Sequence, residues 1–199
     1  MNSTIEYYNN NSNEFIENTI NLSMSDLYKK FETYLQPGKK ILDLGCGSGR
    51  DSRYFKLKGY DVVAADPSEK MCQATRKIAE VPVLQMKAED MNFDNEFDGI
   101  WACASLLHIK KGKLQRVIIG LLGNLVSGGI IYASWKHGDK ESVNEGKYFC
   151  YMTEQTLIKL FEEITNAIVL DIWISNDAKG RDEEWINVLL KKEDRKSVV

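Results

Sequence analysis

Ile41-Leu42-Asp43-Leu44-Gly45-Cys46-Gly47-Ser48-Gly49-Arg50, followed by Gly59-Tyr60-Asp61-Val62-Val63-Ala64-Ala65-Asp66-Pro67-Ser68, is the stretch that decides how this chain is read. The first apolar run stops at a cluster of glycines, an amphipathic stretch from Asp51 to Lys58 follows, and the second apolar run stops at an acidic residue. Strand, glycine-rich turn, helix and strand make a βαβ unit, whose crossover implies a parallel strand pair. Glycines permit φ > 0, and without side chains they let a ligand lie directly on the backbone. In a doubly wound sheet this first turn lies at the carboxyl ends of the strands, where ligands bind.

Outward from this unit the same alternation continues. Further strands are expected in Val81–Met86, Phe97–Ser105, Ile130–Trp135, Ala167–Ile174 and Trp185–Leu190, and helices over Ser68–Glu80, Lys113–Leu125 and Thr153–Glu163. The fold class is therefore α/β: a Rossmann-like, seven-stranded, mostly parallel sheet with a C-terminal antiparallel hairpin and helices on both faces. Ahead of it, Phe15, Ile16, Ile20, Leu22, Leu27, Phe31 and Leu35 recur at mostly helical spacing up to Pro37-Gly38, which predicts an N-terminal helical cap with a helix over Ser12–Leu35. No repeat and no linker rich in Pro, Gly or Ser divides the chain, so residues 1–199 are read as one domain, 1–37 the cap and 38–199 the core.

Two nucleotide-binding alternatives fail on spacing. A dinucleotide fingerprint needs a third glycine three residues after Gly47, and Arg50 stands there; no G-x-x-x-x-G-K-[ST] segment is present. What remains is D-x-G-x-G-x-G, in which Asp43 pins the turn while the glycine backbone meets the amino-acid end of an adenosyl ligand. Asp66, seventeen residues after Gly49, can accept hydrogen bonds from both ribose hydroxyls.

These two segments resemble motifs I and II of the class I S-adenosylmethionine-dependent methyltransferases. The likeness extends to Ala88-Glu89-Asp90, to Phe97–His108 and to Gly128-Gly129, and its type is that of small bacterial tellurite-resistance-like or small-molecule methyltransferases. The resemblance implies S-adenosyl-L-methionine as cofactor, contacted by Gly45, Cys46, Gly47, Arg50, Asp66, Pro67, Ser68, Glu89 and Cys103, with Ala88-Glu89-Asp90 at the adenine. It also implies an N-terminal tyrosine and threonine folded over the cofactor: Tyr8, with Tyr7 open as the alternative, and Thr19. Met71 either packs on the adenine or belongs to the core.

Candidates on the acceptor side follow the strand ends. His108 either takes a proton from the acceptor or packs as a helix-start histidine. Lys136 either binds a substrate carboxylate or is solvated. Tyr148, in the aromatic run Tyr148–Tyr151, can roof a small pocket, while Arg181 and Asn187 can read a polar or anionic substrate unless Asn187 is satisfied by backbone. Cys46 and Cys103 raise a soft metalloid as an alternative acceptor; no protein-bound metal is expected.

Composition narrows the partners. The 26 basic and 29 acidic residues nearly cancel to −3, so no strong field draws the chain to a polyanion. Ala102–Ser105 stands where base-methylating enzymes carry N-P-P-[YF] or D-P-P-[YF]. A small-molecule substrate is the expectation; a nucleic acid is disfavoured, and a protein acceptor, a non-catalytic regulatory module and a homo-oligomer stay open. Four scattered cysteines without a C-x-x-C pair fit reduced thiols and a cytoplasmic location. The polar start lacks a signal-peptide pattern, and no window reaches the roughly 20 apolar residues of a membrane span.

Overall fold

A computed structural model describes residues 2–193. Three short helices, α1 (Asn2–Asn10), α2 (Ser12–Thr19) and α3 (Ser25–Glu32), precede β1 (Lys40–Leu44). The core then alternates through α4 (Arg50–Leu57), β2 (Asp61–Asp66), α5 (Glu69–Ala79), β3 (Val83–Gln85), β4 (Phe97–Ala102), α6 (Leu114–Asn124) and β5 (Leu125–His137). It closes with β6 (Glu141–Asn144), β7 (Lys147–Met152), α7 (Glu154–Glu162), β8 (Ala167–Asn176) and β9 (Glu184–Lys192). No helix among the described residues is long and apolar enough to cross a membrane.

All seven expected strands are present, in the order β3-β2-β1-β4-β5-β9-β8, with β1 to β5 parallel and β9 antiparallel to both β5 and β8. Two further strands, beyond the seven expected, lie between Trp135 and Thr153. The register of β4 on β5 ends at Ala102↔Ala133, but β5 runs on to His137, and its vacated edge is taken in parallel by β7 at Lys136↔Tyr151 and His137↔Met152. β6 pairs with β7 across a tight turn at Glu145 and Gly146, both at positive φ. A protruding strand end exposes unpaired backbone groups, and the hairpin satisfies them.

The expected single helix over Ser12–Leu35 is broken after Ile20, and the polar start forms α1. Asn- and Ser-rich segments have low helix propensity, so these helices rest on tertiary contacts rather than on intrinsic preference.

Side-chain alternation sends each strand's residues to two cores. Leu42, Leu44, Ile100, Ala102, Ile131 and Ala133 pack with α6 and α7, while Ile41, Val62, Trp101 and Tyr132 pack with Tyr28, Phe31 and Leu35 of the cap and Phe55 of α4. The cap seats on a gap in β4: a Cβ at Gly99 would stand 2.8 Å from Phe31 Cζ and 2.6 Å from Leu35 Cδ1.

Asp51, in the first turn of α4, ties this second core together. Its carboxylate accepts from Tyr28 Oη (2.5 Å), Trp101 Nε1 (2.8 Å), Arg50 Nε (2.6 Å) and Arg50 Nη2 (2.9 Å). Burial works against the charge, but the Arg50 guanidinium and these donors outweigh it and hold the carboxyl below its ordinary value. Nearby Asp43, fully enclosed and close to Asp51, is pushed the other way and takes a hydrogen bond from Ser52 Oγ at 2.5 Å. Removing one partner of a buried ion pair leaves the other uncompensated at a cost of about 3–5 kcal/mol. Asp51→Ala is therefore expected to lower the melting temperature by roughly 10 °C, read by differential scanning calorimetry, whereas a loss of only a degree or two would show that Asp51 does not hold the cap to the sheet.

Candidate functional site

At the carboxyl ends of β1, β2, β4 and β5 lies a cavity of about 560 Å³, within the size range of small-molecule pockets. Its floor is the turn from β1 into α4. Gly45 (φ 78°) and Gly47 (φ 51°) adopt left-handed conformations, and a Cβ on Gly45 would lie 2.4 Å from Ser105 Oγ, so a side chain is excluded there by both backbone and space. The Gly45 and Cys46 amides both donate to the Ala65 carbonyl, at 2.7 and 3.0 Å, which locks the turn to the end of β2.

Asp66 ends β2 beside this floor. One carboxylate oxygen accepts from Gly47 N at 3.1 Å and the other from Ser68 N at 2.8 Å. Burial raises its pKa to about 6 in spite of these two amides. Ser68 caps α5 by accepting from Met71 N at 3.2 Å and donates its own hydroxyl to Asn9 Oδ1 at 2.7 Å, which brings α1 over the cavity. Across the cavity, Thr4 Oγ1 of α1 accepts from Tyr148 N at 3.1 Å.

His108 sits in a single 3-10 turn after β4, beneath α1. Its Nδ1 is 2.7 Å from the Tyr148 carbonyl, which can only accept, so Nδ1 carries the proton and Nε2 accepts from Tyr8 Oη at 2.9 Å. Burial, helped by Lys147 and Lys136, lowers the His108 pKa to about 4, and burial also raises the Tyr8 phenol. The histidine is thus a neutral hydrogen-bond acceptor at physiological pH. Burial makes it a weaker base than an ordinary imidazole.

Most of the expected site residues meet in this one cavity. Tyr8, Thr19, Gly45, Cys46, Gly47, Arg50, Asp66, Pro67, Ser68, Met71, Ala88, Glu89 and Cys103 line it, as do His108, Lys136, Arg181 and Asn187. Tyr7, the alternative to Tyr8, lines it as well, but it is Tyr8 that reaches His108. Asp90 does not line it: the short turn Ala88–Asp90 points it into solvent. Tyr148 does not either, because alternation on β7 turns its ring outward to Glu141 and the Lys111 amide, and it serves the site through its carbonyl alone.

Several candidates arrive already engaged. Arg181 is a bidentate partner of Asp177 (3.0 and 2.7 Å), and Lys136 holds Glu183 at 2.8 Å. Asn187 is fully buried and satisfied by Tyr132 Oη, Ser175 Oγ and the Trp173 and Trp185 carbonyls, the structural reading of its two. Burial pushes the Cys103 thiol up to about 12 and raises Cys46 too, so both rest as thiols in the unliganded cavity.

Sequence reasoning overlooked Asp51, Asn9 and Lys147. Asp51 looks like any acidic residue in a first helical turn, and Asn9 lies in a polar stretch without periodicity. Lys147 had a legible signal: it stands two residues before Phe149 on one strand, hence on the same face.

Comparison with known proteins bears on this site directly. A family model described as a methyltransferase domain matches residues 41–129, the segment from the glycine turn to the start of the buried part of β5. An uncharacterised methyltransferase of Synechocystis sp. is 35% identical over 98 residues, covering 48% of this chain and 46% of that protein. An uncharacterised methyltransferase of Staphylococcus carnosus is 25% identical over 162 residues, covering 76% and 78%. The matches at 30% identity or more span from about a third to about half of those relatives' own lengths. Among solved structures, 1,6-didemethyltoxoflavin-N1-methyltransferase of Burkholderia thailandensis superposes with a TM-score of 0.82 over 97% of this chain and 88% of that one, at 16% identity, so the likeness is one of fold. Residues 41–129 match the methyltransferase-domain model, and the chain that contains them has the fold of solved S-adenosylmethionine-dependent methyltransferases.

Proposed function

We propose that this protein transfers the methyl group of S-adenosylmethionine to a small-molecule acceptor. The observation that carries the reading is Asp66: a buried carboxylate at the end of β2, braced by two backbone amides against the glycine turn and facing the cavity. Its remaining lone pairs suit a pair of vicinal hydroxyls. A second observation fits the same ligand. Glu89 Oε1 is buried without a hydrogen-bond partner among the described residues, and a buried acceptor left unpaired calls for a donor such as an exocyclic amine. Met71 and Pro67 line the same cavity and offer apolar surface to a flat base.

When bound, the donor supplies a sulfonium methyl group with an intrinsically good leaving group, so the protein's part is alignment and dehydration. The glycine turn gives backbone amides and room. α1 closes the cavity through Asn9, Thr4 and Tyr8 and excludes water. Tyr8 donates to the Nε2 lone pair of His108 and keeps its own oxygen lone pairs to accept an acceptor's N–H or O–H, with the tautomer held by the Tyr148 carbonyl. His108 can take a proton from the acceptor only through Tyr8, which passes its own proton to Nε2 as it receives one, and as a weak base it favours acceptors that lose their proton readily.

Calorimetric titration with S-adenosylhomocysteine tests the donor site, and the absence of heat or thermal stabilisation would remove the reading. Asp66→Ala is expected to weaken that binding by roughly 10- to 100-fold, the worth of one or two charge-assisted hydrogen bonds. Because only the ionised carboxylate accepts from both hydroxyls, affinity should hold above the Asp66 pKa of about 6 and fall below it, by roughly tenfold at pH 5 against pH 7.5. Consumption of S-adenosylmethionine across a metabolite panel tests turnover. His108→Ala is expected to reduce turnover at least tenfold while leaving S-adenosylhomocysteine affinity within about twofold, a split that a purely structural histidine would not give.

A further inference from the structure

The acceptor half of the cavity carries one largely enclosed ammonium whose carboxylate partner, among the described residues, is an exposed one. Lys147 Nζ is largely enclosed, its side chain 15% exposed, and it makes no hydrogen bond among the described residues. Its nearest carboxylate is Glu145, 3.4 Å away in the hairpin turn and 63% exposed, where water screens it. What holds the ammonium is the face of Tyr7, 3.6 Å from the ring centroid.

The neighbouring charges are balanced. Asp51 is saturated by four donors. Asp177 takes Arg181, Trp185 Nε1 and the Lys179 amide, and Glu183 takes Lys136 with Arg181 Nη2 at 3.0 Å. Asp51 and Asp177 are hydrogen-bonded throughout, and Glu183, although its Oε2 accepts no hydrogen bond among the described residues, is ion-paired to both Lys136 and Arg181, so a cationic acceptor would have to compete with two resident cations for it. An anionic one would find Lys147.

A flat surface lies beside it. The Phe149 ring is 5.2 Å from the His108 ring, and it is flanked by Lys136 Nζ at 5.0 Å and Lys147 Nζ at 5.9 Å. Lys147 and Phe149 alternate onto the same face of β7, both line the cavity, and His108 offers no competing positive charge because it is held in its neutral tautomer. Aromatic rings prefer offset or edge contact with such a surface, and a ring bearing a negative group would bring that group to the ammonium.

We infer that the acceptor is a small aromatic or heteroaromatic acid bound as its anion, its ring against Phe149 and its negative group on Lys147. This rests on the methyl-transfer reading for the ring's role as acceptor, while the anion site itself is a property of the hairpin.

The test is a calorimetric panel on the protein saturated with S-adenosylhomocysteine. The probes are benzoate, 4-hydroxybenzoate, indole-3-carboxylate and quinoline-2-carboxylate, each beside its neutral amide, with benzamidine as the cationic control. At least one acid is expected to bind tenfold or more tightly than its amide, and benzamidine to bind weakest. Lys147→Gln should erase the preference and Lys147→Arg restore it, both with unchanged affinity for S-adenosylhomocysteine, which also shows that the variants fold. Equal binding of acids and amides, binding of none of them, tighter binding of benzamidine, or a preference that survives Lys147→Gln overturns the inference. If the wild-type protein gives no heat with S-adenosylhomocysteine, the donor reading falls, and the same panel on the ligand-free protein decides the anion site alone.

Discussion

Four hydrogen bonds converge on the buried carboxylate of Asp51, and the architecture of the site depends on that convergence. The donors come from the cap (Tyr28), from the centre of the sheet (Trp101) and from the turn residue Arg50. A charge with this many partners is cheap to keep and expensive to disturb, because each donor left behind would be buried unpaired. The aromatic cluster around it, with Tyr28 stacked on Tyr54 at 3.7 Å and Trp101 on Tyr132 at 4.1 Å, supplies apolar contact, but the carboxylate sets where those rings must stand. Since Arg50 opens α4 directly after Gly49, the same interaction fixes the exit of the glycine turn.

The two ends of the cavity use charge in opposite ways. Near the glycine turn, Asp66 keeps lone pairs beyond those its two backbone amides use, and Glu89 Oε1 has no donor among the described residues. At the β7 end, His108 is neutral and Lys147 is positive, and polar backbone groups are consumed internally. A ligand pair spanning the cavity would meet hydrogen-bond acceptors at one end and positive charge at the other. Both ends are reached by α1, through Asn9 and through Tyr8 and Thr4.

The sheet and the glycine turn were legible because each depends on local chemistry that a short segment declares: apolar runs for buried strands, glycine where φ is positive, and an acidic residue at a strand end. What escaped was set by tertiary context. Glu141–Asn144 has no apolar alternation and became β6 by pairing with β7, which itself fills the edge left where β5 outruns β4. The turn residues Glu145 and Gly146, both at positive φ, were a weak hairpin signal, since Glu is not the residue such turns favour. The apolar spacing from Phe15 to Leu35 was read as one helix, although the break after Ile20 lets α2 face the cavity while α3 faces the core. Asp90 and Tyr148 fell on the wrong side of their elements because a 3-10 turn and a strand register cannot be phased from neighbouring residues alone.

The β6–β7 hairpin joins the main sheet through only two residue pairs at the tip of β5, yet it brings Lys147, Phe149 and the Tyr148 carbonyl to the cavity. Cys150 and Met152 anchor β7 in the core, but β6, the turn and the cavity-facing positions of β7 can change without disturbing strand order or the glycine turn. Selection can then replace the wall that reads one ligand while the machinery for the other is inherited intact, which makes this hairpin the natural unit of divergence among proteins built on the same sheet.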